Sequence, residues 1–306
     1  MPSVALPPDV RRLLDERTEA RDARDWARAD TLRDELHDLG WQVEDGPRGS
    51  TARPILAATG APDGPPLDRP ATVAASLQIA AEDHPDDLAR FLQGLAAHPP
   101  AAPWELLVVA NGPTFAVDVA LGSAGLPTAP IVVETAGRLG WADARTLGMR
   151  HSSGEITVLV DTSIEPTGDF VTPLISAFDD PTVGIAGGWG VTSADAREFQ
   201  EAPPGEVDAI EAYCLAIRRE ALRAVGGFDP RFRFYRNADL DFSFAVRDAG
   251  WRAMRTEPLP LIRHEHRGWS SVTPEERDRL SKRNFYRFLD HWGDRPDLLL
   301  HPAPDR

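Results

Sequence analysis

Lysine is almost absent from this chain. Of 306 residues 33 are basic, and Lys282 is the one lysine among them. Cysteine is equally scarce, with Cys214 alone. A single cysteine excludes an internal disulfide and any cysteine-built zinc or iron–sulfur centre within one chain. No apolar run approaches the roughly 18 residues that a membrane span requires, so no transmembrane helix is expected. No basic-then-apolar leader opens the chain, and the expected location is therefore cytoplasmic. Positive charge is in deficit: 48 acidic residues leave a net charge of −15. That balance argues against non-specific nucleic-acid binding, which needs a basic footprint.

What is present is ordinary for a globular protein, with 42% hydrophobic residues. The length suggests about two domains. Residues 54–70 (PILAATGAPDGPPLDRP) hold five prolines and two glycines without apolar periodicity. They read as a semi-stiff linker between an N-terminal module, 1–53, and a larger body, 71–306. Residues 7–39 read as two helices. Val10, Leu13 and Leu14 share one face, and Leu32, Leu36 and Leu39 share another. Asp25 is placed to cap the second helix, and Gly40 to end it. The two stripes bury each other in an antiparallel hairpin.

From residue 71 onward, strands alternate with helices. Apolar runs at 72–79, 104–110, 131–134, 155–161 and 183–188 read as strands. Helices are expected at 86–97, at 143–151 and from about 237 to 250. Near-continuous apolar strands separated by helices imply a mainly parallel sheet covered on both faces, an α/β fold. Ligands in such sheets bind at the carboxyl ends of strands. Asn111 and Asp161 fall there.

Four constellations carry candidate chemistry. Asp161-Thr162-Ser163 follows a buried strand, where an acid can hold a divalent ion against a diphosphate; capping the next turn is the plainer role. Asp239 and Asp241 stand two apart at a helix start, so they point in different directions. One can serve as a general base while the other caps, or both can cap. His264-Glu265-His266 on an extended chain places two imidazoles on one side, as metal ligands sometimes are, although solvent-facing pairs are commoner. Arg138 and Arg145 can clamp a diphosphate or form surface ion pairs.

Taken in order, these motifs resemble family-2 glycosyltransferases of the GT-A fold over residues 71–270. The matching segments are Ala110-Asn111-Gly112, Gly140 with Ala144-Arg145-Thr146, Gly154-Glu155, Asp161-Thr162-Ser163, Gly227-Phe228-Asp229, Ala238-Asp239-Leu240-Asp241 and Arg247-Asp248-Ala249-Gly250-Trp251. His264 fits a late histidine, and 283–292 resembles the closing helix. The resemblance implies a Rossmann-like GT-A body, a nucleotide-sugar donor, and transfer to an unknown acceptor hydroxyl with inversion. By it Asp239 is the base. Asn111, Arg138, Arg145, Asp161 and Ser163 bind the nucleotide and its diphosphate. Asp161, with His264 and His266, holds a divalent cation, manganese or magnesium. Asp241, Trp189 and Trp269 are candidates to face the acceptor or sugar, since aromatic faces pack on carbohydrate rings, although core packing is the commoner fate of a tryptophan.

Several family positions are altered. Ser163 replaces the second acid of the metal motif, which weakens a cation site unless Glu165 or His264 compensates. Ala110, Ala238 and Thr146 stand where an aspartate, a glutamate and an asparagine are usual. The alternative to an active enzyme is a glycosyltransferase-like binding or scaffold protein. Oligomeric state stays open.

Residues 13–53 resemble the C-terminal segment of cysteinyl-tRNA synthetases, through Ala20-Arg21, Asp25-Trp26, Ala29-Asp30, Arg33-Asp34, Leu36, Gly40, Glu44-Asp45 and Gly49-Ser50-Thr51. No synthetase catalytic motif accompanies them. The resemblance implies a helical hairpin followed by a β-like turn, with Trp26 and Trp41 as packing residues; an RNA partner recruited through this hairpin is a further reading, and the acidic balance counts against it.

Overall fold

The computed structural model of the chain describes residues 8–38, 41–46, 49–54, 67–82, 84–112, 117, 120–121, 124–135 and 137–303. Leu39, Gly40 and most of the proline-rich stretch lie outside the described residues. The chain divides into two compact units, residues 1–60 and 61–306.

In the smaller unit, α1 (Pro8–Asp22) and α2 (Trp26–Asp38) pack through Val10, Leu13, Leu14, Leu32 and Leu36. Asp25 caps α2, its Oδ1 accepting from the backbone N of Arg28 at 3.0 Å. A hairpin of β1 (Trp41–Gly46) and β2 (Gly49–Pro54) follows. Arg17 is buried on α1 and donates to Ser50 Oγ at 2.7 Å, which fastens the helix to the hairpin. Trp41 packs against the helical core. Trp26 does not: it is 57% exposed, with the Arg21 guanidinium 5.7 Å from its ring centre. As the first residue of α2, it falls outside the stripe that begins at Ala29.

The larger unit is built on an eight-stranded sheet. Four parallel neighbours form one half: β5 (Ile131–Glu134), β4 (Trp104–Ala110), β3 (Val73–Ala81) and β6 (Gly154–Val160). The other half adds β13 (Cys214–Arg218), β8 (Val183–Gly187), β14 (Arg252–Arg255) and β11 (Gly205–Val207). β13 runs antiparallel to β6 and β8, and the edge strand β11 antiparallel to β14; the rest run together. The runs read as strands are apolar on both faces because the sheet is covered on both. Leu77, Ile79, Leu106, Val108 and Val158 pack under α3 (Pro85–Ala97). Leu159, Ile185, Leu215 and Ile217 pack with α7 (Ala238–Asp248) on the other face.

The chain leaves β3 toward β4 on one side and reaches β6 on the other. Their carboxyl ends therefore open a crevice between neighbouring strands, the usual ligand position in such sheets. α4 (Trp141–His151) borders it. Buried Gln78 on β3 fixes α4 by donating to the carbonyl of Arg145 at 3.0 Å. Beyond α6 (Arg219–Val225), Gly226 ends the helix at a φ of 81°. At Gly227 (φ 123°) an added Cβ would lie 2.6 Å from Thr146 Cγ2. Thr146 Oγ1 in turn accepts from the backbone N of Phe228 at 3.1 Å. Thr146 thus locks the Gly-Gly-Phe-Asp turn.

The closing helix is longer than its sequence suggested. α9 runs Pro274–Trp292, and Thr273 caps it by accepting from the N of Glu276. The short strands β7 (Ile164–Pro166), β9 (Gly190–Ser193), β10 (Phe199–Glu201), β12 (Ala209–Ile210) and β15 (Leu261–Arg263) had no clear signature, since two to four residues show no period. Among the described residues no helix is long and apolar enough to cross a membrane.

Candidate active site

Two hollows meet at the crevice. A cavity of about 360 Å³ is lined by Asp239, Glu211, Tyr213, Tyr235, Arg236 and Arg263, among others. A cleft of about 70 Å³ is lined by Glu82, His84, Arg138, Arg145 and Arg267. Trp141, Asp161 and His266 line both.

Asp161 sits just past β6, its backbone N donating to the Tyr213 carbonyl at 3.0 Å. Its Oδ1 accepts from the N and Oγ of Ser163, at 2.9 and 2.6 Å. Its Oδ2 lies 3.4 Å from His266 Nε2 and 3.8 Å from Arg145 Nη2. Burial opposes the Asp161 charge, but the hydrogen bond and charge of His266, with Arg145 and Ser163, hold the carboxyl far below the ordinary range. Burial likewise opposes the His266 charge, and Asp161 overcomes it, so the imidazole is pushed up. Arg145 stacks on Trp141, 4.4 Å from the ring centre.

The second acid of this centre is Glu82, at the carboxyl end of β3. It receives Arg138 and Arg145, each at 3.3 Å, and Asn111 Nδ2 at 3.3 Å. Glu82 was legible by the rule that marked Asp161, an acid after a buried strand, but the strand had been read as stopping at Ile79. Asp87, buried on α3, holds Arg267 at 3.1 Å and Arg90 at 2.8 Å.

Asp239 opens α7 after Asn237, whose backbone is left-handed at φ 63°. Its Oδ2 accepts from the N of Ala212 at 3.1 Å, and Oδ1 from the N of Leu240 at 3.0 Å. Burial pushes its pKa up despite these bonds and the nearby Arg236. Glu211 faces the same cavity and is raised by burial and by Asp239.

Several expected residues do other work. Asp241 is buried away from the cavity, accepting from Trp292 Nε1 at 2.9 Å and bonded to His291 Nδ1 at 3.0 Å. Two positions along a helix turn a side chain to another face, so only Asp239 of the pair reaches the cavity. Among the described residues Asp229, Asp241 and His291 form the one three-membered group with metal-ligand spacing. Arg231 already fills it, pairing with Asp229 at 2.6 Å and contacting His291.

Asn111 is buried and clamps the backbone of Leu139 through both ends of its amide, at 2.7 and 3.2 Å. It shapes the crevice wall and does not line either hollow. Ser163 is turned into Asp161. His264 leaves the site: its Nε2 pairs with Glu165 at 2.6 Å, and neither residue lines a hollow. The alternation expected of His264 and His266 fails because β15 ends at Arg263 and His266 caps the short helix α8 (Arg267–Ser270). Trp189 and Trp269 do not line the cavity either; each carries an arginine instead. Trp141, unmarked in sequence, is the tryptophan that does.

The family model for glycosyl transferase family 2 matches residues 79–259, which contain most of the lining of both hollows; Arg263, His266, Arg267, Gly268 and Ser271 lie beyond it. The chain belongs to glycosyl transferase family 2. A second model, the cysteinyl-tRNA ligase anticodon binding domain, matches residues 3–53. The pre-mycofactocin glycosyltransferase of Mycobacterium tuberculosis is 26% identical over 165 residues, covering 48% of this chain and 33% of that protein. Cysteine–tRNA ligase 1 of Burkholderia lata is 44% identical over 64 residues, covering 21% of this chain and 14% of the ligase. The chain thus spans about a third or less of these relatives.

Family-2 membership agrees with the fold. The crystal structure of GalNAc-T7 with UDP, GalNAc and Mn2+ superposes with a TM-score of 0.56 at 16% identity, over 74% of this chain and 49% of that one. Glucosyl-3-phosphoglycerate synthase from Mycobacterium tuberculosis, in complex with Mn2+, UDP and its product, gives 0.54 at 14% identity, over 72% and 80%. The GT-A architecture expected from sequence is the one observed.

Proposed function

We propose that the larger unit transfers a sugar from a nucleotide-sugar donor to an acceptor hydroxyl with inversion at the anomeric carbon. One observation carries this reading. The candidate base and the candidate diphosphate site open into hollows that join at Trp141, Asp161 and His266. Inversion needs such a layout, because the acceptor attacks from the side opposite the leaving group.

The diphosphate lies at the narrow cleft, where Arg138 and Arg145 supply local positive charge in a chain of net charge −15. Arg145, already oriented by Trp141 and Asp161, gathers charge that develops on the departing nucleoside diphosphate. Asp239 takes the proton from the acceptor hydroxyl as its oxygen attacks. Its raised pKa makes it a stronger base than an exposed carboxylate.

A divalent cation fits this site. Asp161 Oδ2 and His266 Nε2, 3.4 Å apart, have the separation of neighbouring ligands each about 2.1 Å from a small ion. Asp161 and His266 would hold it, and when bound it supplies charge neutralisation to the diphosphate. Manganese bound to the related structures named above supports this choice of group. His264 has no part in it.

Calorimetric titration with UDP and GDP, with and without manganese, tests the donor side. A hydrolysis screen over common nucleotide sugars tests activity. Absence of both binding and turnover would leave the scaffold reading in its place.

A further inference from the structure

Arg236 and Arg263 both line the larger cavity and neither lines the narrow cleft. Among the described residues neither guanidinium forms an ion pair or a hydrogen bond. The contrast with the cleft is sharp, since Arg138, Arg145 and Arg267 are all tied to Glu82, Asp161 or Asp87. What the two cavity arginines face instead is aromatic rings, at cation–π distances. Arg263 lies 4.7 Å from the ring centre of Tyr213 and 5.7 Å from that of Trp189. Arg236 lies 5.6 Å from that of Trp269. Stacking on a ring face restrains the plane of a guanidinium while leaving its in-plane N–H donors available. An arginine held this way is pre-organised for two-point recognition of a carboxylate or phosphate.

Their position says which substrate they serve. Arg236 is three residues before Asp239, and its charge offsets part of the rise that burial imposes on that carboxyl. The donor diphosphate in our reading lies at the other hollow. We infer that Arg236 and Arg263 form an anion-binding site for the acceptor, which carries a carboxylate or phosphate near the hydroxyl that is glycosylated. This inference rests on the transfer reaction proposed above.

The acids around the cavity bear on the claim. Glu201 is paired with Arg255 at 2.8 Å, and Asp161 with His266 and Arg145. Asp239 and Glu211 remain, and the two arginines offset their charge.

The test uses three probes on one skeleton: glycerol, glycerate and glycerol 3-phosphate. Each is titrated calorimetrically into the full-length protein, into Arg236→Gln and into Arg263→Gln. UDP and GDP with manganese are titrated in parallel. Wild type is expected to bind glycerate or glycerol 3-phosphate and not glycerol. The tighter of the two anions identifies the group as carboxylate or phosphate. Each substitution is expected to weaken anion binding by about tenfold or more while leaving nucleotide affinity unchanged. Wild type that binds neither anion, or binds glycerol as well, overturns the inference. So does anion binding that survives both substitutions. A loss of nucleotide affinity in either variant instead assigns the arginines to the donor and also overturns it. If no nucleotide binds to wild type, the transferase reading fails, and the anion titrations still decide whether the arginines form a site.

Discussion

The carboxylates of Asp239 and Asp241 stand two residues apart on one helix and serve opposite sides of it. Asp239 opens into the larger cavity, whereas Asp241 is buried and accepts from the indole N–H of Trp292. In the reaction proposed above Asp239 is the base, while Asp241 only packs, and substitutions at the two should differ accordingly.

Replacing Asp239 by Asn should lower transfer by about 10² to 10⁴-fold, the range for loss of a positioned base. Nucleoside-diphosphate affinity should not change. The same variant should melt at a higher temperature at pH 7. Burial raises the folded pKa of Asp239, so its ionised form costs stability above that pKa. Below the unfolded value of about 4 both states are protonated and the cost vanishes. Melting curves taken from pH 7 down to about pH 4 should show the gain shrinking. Normal turnover by this variant would remove Asp239 from the mechanism.

Asp241→Ala should do the reverse. It leaves Trp292 Nε1 and His291 without their acceptor, at a cost of about 1–3 kcal/mol. Urea denaturation reads this directly, and equal midpoints would show that the bonds contribute nothing.

The Asp161–His266 pair predicts a pH dependence of its own. The Asp161 pKa is lowered, so that part of the stability is present above about pH 4 and is lost as pH falls toward the folded value. The His266 pKa is raised, so its part is complete below about pH 6.5 and is lost as pH climbs through the folded value. Chelator-treated wild type should therefore lose melting temperature from pH 6 to pH 9, and His266→Gln should lose less over that window. Parallel curves would exclude the pair as a source of the slope. Added manganese should tighten UDP or GDP binding in wild type and have little effect in Asp161→Asn.

Gly227→Ala should cost about 1–3 kcal/mol, because the new methyl meets Thr146 and the backbone there has positive φ. An unchanged urea midpoint would mean that the turn yields freely. In the smaller unit, Leu32→Ala removes a fully buried side chain and should cost about 2–5 kcal/mol. We expect a domain-wise melt in which only the smaller unit's transition moves; a shift of both transitions would show that the units unfold together.

Much of the fold could be read from period and punctuation. The strands at 104–110 and 131–134 have the expected ends, and Asp25 caps as predicted. Those signals are local: an apolar run, an acid at a helix start. What could not be read was which polar groups meet. Glu82, Asp161, Arg145 and His266 converge from segments far apart in the chain. His264 and His266 share a motif and separate because the strand ends at Arg263 and a short helix begins after His266. Asn111 falls at a strand end as expected, but its amide is wholly taken up by Leu139 and Glu82. The tryptophans were assigned to the sugar by chemistry alone, and the neighbouring arginines decide their use instead.

The solitary cysteine has a practical consequence. Cys214 lies at the start of β13, fully buried in the centre of the sheet, and burial pushes its thiol up to about 12. Thiol reagents attack the thiolate and need access to it, so the folded protein presents neither. A cysteine introduced at an exposed position, such as that of Trp26 or Trp269, would then be the one reactive thiol in the native chain. Paired fluorophores or spin labels placed this way could follow the two units, or the mouth of the cavity, without first removing the native residue.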